Sequence, residues 1–190
     1  MALTMEEMAK RLEALEKEAR VSRDILEIMQ LQHRYVNGIF LGRWDDLDAC
    51  FTENSTFGEP MEEGAPEGGP GQMKGKEIVE WLKWSGQGGG IDQVGGFVVQ
   101  PIISVDGDKA TGSWVLYMLY TYELTGQTLF WIQRTYDAIY TKENGKWVIH
   151  NLVMKSRLGP PGPPYPGTGE RSSVEQAGPN PAARGQAGPK

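Results

Sequence analysis

DILEIMQLQHRYVNGIFLGRWDDLDACFTENSTF, residues 24–57, is the stretch whose reading decides the fold. Ile25, Ile28, Met29, Val36, Ile39 and Phe40 recur at the three- and four-residue spacing of a broad apolar stripe on one helix. Tyr35 stands one turn past Leu31 on that inner surface, with its hydroxyl free to reach a partner. Gly42-Arg43 breaks the helix, Trp44–Phe51 predicts a second short helix, and Ser55–Phe57 predicts a first strand. Just upstream, Ser22 is placed to cap a fresh start, which predicts a helix break near Val21–Ser22.

Working outward toward the N-terminus, Met8, Leu12, Leu15, Ala19, Ser22, Leu26 and Met29 alternate four and three apart, a heptad-like spacing. Two readings fit it. One is a long amphipathic helix folding back on its own domain. The other is an arm for self-association, in which fewer than four heptads make a weak independent coil.

Toward the C-terminus, Gly58–Gly75 is dense in Gly, Pro and Glu, cannot supply a core, and is expected to be a surface loop or flap. KEIVEWLKWSG (76–86) predicts a third helix with Ile78, Trp81 and Leu82 on one face. GQGGGIDQVGG (86–96) is a glycine-rich connector without the Gly-Lys-Ser/Thr ending of a phosphate loop. Asp106-Gly107, Thr125-Gly126 and Asn144-Gly145 then punctuate four β-rich runs, predicting three hairpins and an antiparallel meander. Trp114, Leu116, Met118, Tyr120 and Tyr122 alternate with Val115, Tyr117 and Leu119, so both sheet faces carry large side chains. One face is expected to meet the helices and the other a second chain, in a homodimer or homotrimer, or the tail. From Gly159 the chain turns Pro- and Gly-rich. The expected organisation is an amphipathic arm (1–21), an α+β domain (22–158) and an extended tail (159–190).

Composition narrows the function. A net charge of −6 over 190 residues argues against nucleic-acid binding. No apolar run approaches the ~18–20 residues of a membrane span. Cys50 is alone and the start is charged, which points to a cytoplasmic protein with no internal disulfide. Two separated histidines without an acidic cluster offer no metal site, and no cofactor is expected. Cys50, near Leu47 and Phe51, reads as a buried small hydrophobe.

The pattern R-Y-x(6)-G-R-W-D-x-L, followed by F-x-x-x-S-T-F, the VDGDKATGSW hairpin and YDAIYTKENGKWVI, resembles SnoaL-like proteins of the nuclear transport factor 2-like superfamily. The resemblance covers about Asp24 to Arg157 and implies a cone-shaped, curved antiparallel sheet packed on N-terminal helices. Relatives include scytalone and bile acid dehydratases, cyclases, isomerases and cofactor-free lyases of aromatic compounds, besides non-catalytic proteins. In the dehydratases most similar in layout, a helix tyrosine works with a nearby acid, a strand histidine and a further acid. Tyr35 matches the tyrosine. Phe40, Val99 (or another residue of the Phe97–Val99 run) and Met118 fall where the other three would be.

The remaining polar groups therefore carry the chemistry. On the third meander strand Ile132, Arg134, Tyr136 and Tyr140 share one parity, and an inward arginine needs an anion, several acceptors or a carboxylate such as Glu123. His150, on the last strand, reads either as a proton carrier or as a structurally satisfied strand histidine, and His33 reads as structural or exposed. The expected catalytic set is Tyr35, Arg134 and His150, with Tyr120, Tyr136, Trp81, Phe40 and Met118 lining a substrate site. The expected function is a cofactor-independent lyase, by dehydration or retro-aldol-type cleavage, on an aromatic or polycyclic hydroxylated small molecule. A non-catalytic binding or assembly protein, or an isomerase or cyclase, are the alternatives.

Overall fold

The computed structural model describes residues 3–58, 73–86, 92–121 and 130–158, with the backbone alone at 85–86, 92–94, 120–121, 130 and 156–158. The loop over 59–72, the Thr125-Gly126 turn, Tyr122, Glu123 and the tail from 159 lie outside the described residues.

Helix α1 runs unbroken from Met5 to Phe40, 36 residues or about 54 Å at 1.5 Å per residue. Thr4 starts it with a reciprocal cap: its hydroxyl accepts from the Glu7 amide while the Glu7 carboxylate accepts from the Thr4 amide. The expected break at Val21–Ser22 is absent. Ser22 lies exposed within a run of strong helix formers, where capping has nothing to offset. Nor does the arm fold back: residues 3–20 are exposed throughout, and the helix first meets the domain at Asp24.

From there Ile28, Leu31, Val36 and Ile39 are buried against the sheet, each contributing roughly 1.5–3 kcal/mol of apolar burial. Gly42 (φ +63°) makes the left-handed turn that redirects the chain into α2, Trp44–Asp48. Helix α3, Lys76–Gly86, seats Ile78, Trp81 and Leu82 in the core.

Among the described residues the sheet has six strands in the order β2-β1-β6-β5-β4-β3. Four long strands form the expected meander: β3 (Asp92–Asp106), β4 (Lys109–Thr121), β5 (Phe130–Glu143) and β6 (Lys146–Leu158). Two short ones, β1 (Thr56–Phe57) and β2 (Met73–Lys74), extend it beyond β6. Because β1 joins β6 in parallel, the sheet is mixed; it is also curved, and it is unclosed because β2 and β3 at its two ends do not pair with each other. Asn144-Gly145 takes two positive φ values (50° and 76°) at the β5–β6 turn, as the sequence requires of a tight hairpin.

Four register shifts interrupt the described ladders, and two of them matter below. In β3 the register shifts between Val99 and Ile102, at Gln100 (φ 53°) and Pro101. In β6 it shifts at His150, an extra residue between Ile149, opposite Tyr140, and Asn151, opposite Ile139.

Candidate functional site

Helix α1 crosses the concave face of the sheet, and three of its buried polar residues each meet polar groups from β5. Asp24 accepts hydrogen bonds from Lys142 Nζ and from Trp147 Nε1 (2.9 Å). Burial alone would raise the Asp24 carboxyl, but these bonds and the Lys142 charge hold it below the ordinary carboxylate range. Two turns on, Gln32 Oε1 accepts from the Tyr140 hydroxyl (2.8 Å), which itself accepts from Trp114 Nε1 (2.8 Å). Burial pushes the Tyr140 phenol well above its ordinary pKa, so it serves as a neutral donor.

The third group carries the candidate chemistry. The Tyr35 and Tyr136 hydroxyls lie 3.5 Å apart, with their rings edge to face at 5.8 Å. Burial, then the neighbouring Tyr136, raises the Tyr35 phenol, and the Arg134 charge partly offsets this. Tyr35 is therefore a neutral hydroxyl near a cation. Arg134, two residues before Tyr136, is only 4% exposed. Its Nη1 meets the weakly accepting sulfur of Met154 at 3.1 Å, while Nε and Nη2 have no hydrogen-bond partner among the described residues. Around it the register places Leu116 and, beyond, Val98 on the concave face, with Met118 and Ile132 one row away. A buried guanidinium with two donor atoms unpaired among the described residues lies on the same strand face as Tyr136, which meets Tyr35, and such donors are costly to leave unmet.

The structure thus brings Tyr35, Arg134 and Tyr136 together, as the strand parity implied. His150 was expected to face them and does not. Its bulge lies opposite Ile139–Tyr140, five to six residues along β5 from Arg134, or roughly 17–20 Å at ~3.3 Å per residue. The imidazole is half-buried, and the backbone carbonyl accepts from the Thr56 hydroxyl (3.3 Å).

Phe40 packs its ring onto the β3 backbone: a Cβ on Gly96 would lie 2.6 Å from it and 2.7 Å from the Tyr117 carbonyl. Met118 is buried on the concave face, and Trp81 tilts against Phe57 (5.4 Å) beside β1. The side chain of Tyr120 lies outside the described residues. Of the Phe97–Val99 run, Val98 rather than Val99 points inward, paired with Leu116, while Val99 is half-buried on the other face. Cys50 is fully buried, and burial pushes its thiol up to about 12, which leaves it unreactive. His33 is exposed, edge-on to Trp114 at 6.4 Å. A groove of about 570 Å³ between α2 and α3 is lined by charged residues such as Asp48, Glu53 and Lys83. Its floor is Phe51, whose ring meets Tyr35 edge to face at 5.7 Å.

The polar pairs Asp24–Lys142 and Gln32–Tyr140 were not anticipated from sequence. The signal was present: Asp24, Ile28, Leu31, Gln32 and Tyr35 fall on one helical face, so two polar residues sit within an apolar stripe.

The sequence profile of the SnoaL-like domain matches residues 20–153. The chain belongs to the SnoaL-like family. Solved structures share this fold at low identity. A candidate scytalone dehydratase from Novosphingobium aromaticivorans is 13% identical, with 71% of this chain and 85% of that one covered and a TM-score of 0.56. The hexachlorocyclohexane dehydrochlorinase LinA type 3 of Novosphingobium barchaimii is 16% identical, with 78% and 91% covered and a TM-score of 0.58. A candidate calcium/calmodulin-dependent protein kinase II association domain from Xanthomonas campestris is 15% identical, with 69% and 86% covered and a TM-score of 0.53. No curated protein matches the sequence. SnoaL-like architecture therefore accounts for the cone, and the residues inside it must account for the chemistry. Among the described residues, no helix is long and apolar enough to cross a membrane.

Proposed function

We propose that this SnoaL-like protein is a cofactor-independent lyase acting on a hydrophobic, aromatic or polycyclic hydroxylated small molecule. The observation that carries the reading is Arg134, buried with Nε and Nη2 unpaired among the described residues, on the strand face of Tyr136 and its partner Tyr35. Unpaired buried donors are costly, and an oxyanion generated during elimination would occupy them. The dehydrochlorinase and the candidate dehydratase on the same fold are named for eliminations, which favours this class.

In the proposed reaction the substrate's own phenol, ionised against Arg134, supplies the electron pair that expels the leaving group. Water leaves in a dehydration, with a proton taken from solvent. Formaldehyde leaves in a retro-aldol-type cleavage of the quinone methide that this loss of water creates: the hydroxymethyl O–H gives its proton to solvent, the C–C bond breaks, and the bonding pair flows into the quinone methide and restores the phenolate against Arg134. Tyr35 and Tyr136 hold the oxygen that gains charge. Such chemistry needs placed donors more than a strong base, consistent with apolar residues at Phe40, Val98 and Met118.

The test is turnover of a panel of hydroxylated diaryl and polycyclic compounds without added cofactor, following loss of water or release of formaldehyde. Tyr35→Phe removes one oxygen and keeps the ring, and should lower turnover about 100–1,000-fold. His150→Gln, remote from the pair, should stay within about threefold. Turnover by Tyr35→Phe within twofold of the parent protein would reject the assignment.

The second reading is a non-catalytic binding or assembly protein. Its supporting observation is that Trp114, Leu116, Met118 and Ile132 are all at most 5% exposed and fill the concave face around the polar pair. Binding of a phenolic ligand by the parent protein but not by Arg134→Met, without any product, would favour it.

A further inference from the structure

We infer that the first 20-odd residues of α1 form a parallel, in-register two-stranded coiled coil with a second copy of this chain. Met5, Leu12, Ala19 and Leu26 occupy one core position of a heptad and Met8, Leu15 and Ser22 the other, and the seam ends before Met29, which is half-buried against the domain's own core. Met5, Met8, Leu12, Leu15 and Leu26 are 44–79% exposed, although the helix is regular and capped. An apolar seam of this length on a finished helix has no cover among the described residues.

The direction of the seam excludes its own domain as that cover. At 100° per residue the seam lies on the side of α1 opposite Asp24, Ile28, Leu31 and Tyr35, the residues buried against the sheet. In heptad terms Asp24 and Leu31 hold the position diametrically outside a two-stranded seam, and Ile28 and Tyr35 the position beside it. Each helix can therefore pair along one edge while carrying its own cone on the other, with the two cones pointing apart.

Charge selects a second copy and a direction. In parallel register, Arg11 of one helix faces Glu16 of the other, and Glu18 faces Arg23, so all four flanking pairs of the dimer are attractive. Antiparallel pairing that superimposes the same apolar layers joins Arg11 to Glu18 but leaves Glu16 opposite Ala9. Ala19 and Ser22 are small and let the helices approach just before the domains diverge.

The experiment uses the full chain. Leu15→Cys places a thiol in the seam, Lys17→Cys places one on the outer side, and native Cys50 is buried in both. Under mild oxidation Leu15→Cys should cross-link to a dimer at least tenfold faster than Lys17→Cys, as expected when like positions face each other at close range. Leu12→Glu should shift any dimer seen by sedimentation toward monomer by at least about tenfold in concentration. Arg11→Glu should weaken cross-linking of Leu15→Cys, and Arg11→Glu with Glu16→Arg should restore it. Equal rates at positions 15 and 17, or failure of the charge exchange to restore cross-linking, would overturn the proposal. A disulfide between Leu12→Cys and Leu15→Cys chains, without a 15–15 product, would show antiparallel helices and also overturn it.

Discussion

Arg134→Met tests the site without any substrate. Arg134 is 4% exposed, and its described polar contact is one methionine sulfur. Each unpaired buried donor, Nε and Nη2, costs about 1–3 kcal/mol. Methionine keeps the unbranched stem and adds apolar contact with Ile132, Met118 and Met154. Exchanging a buried ionic group for an apolar one of similar size stabilises other proteins by about 1–4 kcal/mol. A gain of about 2 kcal/mol is expected here, which for a domain of this size raises Tm by about 6–10 °C. Urea unfolding followed by tryptophan fluorescence, at unchanged m-value, gives the free energy, and calorimetry gives Tm. The variant should be more stable and inactive, the behaviour of a residue kept for binding at the expense of the fold. Destabilisation by about 1 kcal/mol or more would mean that Arg134 is held by structural partners, and the oxyanion-receptor argument would fall with it.

Other outcomes follow from packing and charge. Asp24→Asn should cost about 2–3 kcal/mol, less than a fully buried pair because Lys142 can rehydrate. Because the folded Asp24 pKa is depressed, its contribution is complete above the ordinary carboxylate pKa, near 4, and fades as pH falls through the folded value; denaturation midpoints below pH 4 should converge for parent and variant. Gly96→Val forces Cβ into Phe40 and the Tyr117 carbonyl and should cost about 1–3 kcal/mol, read by thermal melting. Phe97, stacked on Tyr117 and edge-on to Trp131, leaves an exposed aromatic patch on the outer sheet face. Phe97→Ser with Trp131→Ser should lower the mass seen by light scattering if that face joins copies; an unchanged mass would confine assembly to the arm.

Local rules made the fold readable where they act alone. Gly42, Gly107 and Gly145 all take positive φ at the breaks expected of them, and the meander follows from those turns. Parity along β5 likewise put Arg134 and Tyr136 on one face with Ile132, because that strand is regular between them. Parity says nothing of distance along the sheet: the register sets His150 five to six residues along β5 from Arg134, a pairing that alternation within one strand does not reveal. Which residue of the Phe97–Val99 run points inward stayed open in the sequence, because nothing local fixes it in a continuous apolar run; the pairing of Val98 with Leu116 does. The helix break at Ser22 was a local capping preference overridden by the helix formers on either side. Asp24 and Gln32 were passed over because their partners, Lys142 and Tyr140, are more than 100 residues away in the chain.

The kink in β3 has a consequence for how these molecules behave when crowded. β3 is the outermost long strand, and a straight edge of 15 residues would offer a row of open amides and carbonyls to any passing extended chain. Pro101 has no amide to offer, and the left-handed turn at Gln100 breaks the straight run. Both features disfavour strand-by-strand growth along this edge. Straightening this edge, by Pro101→Val with deletion of Gln100, should produce a protein that folds yet precipitates on standing.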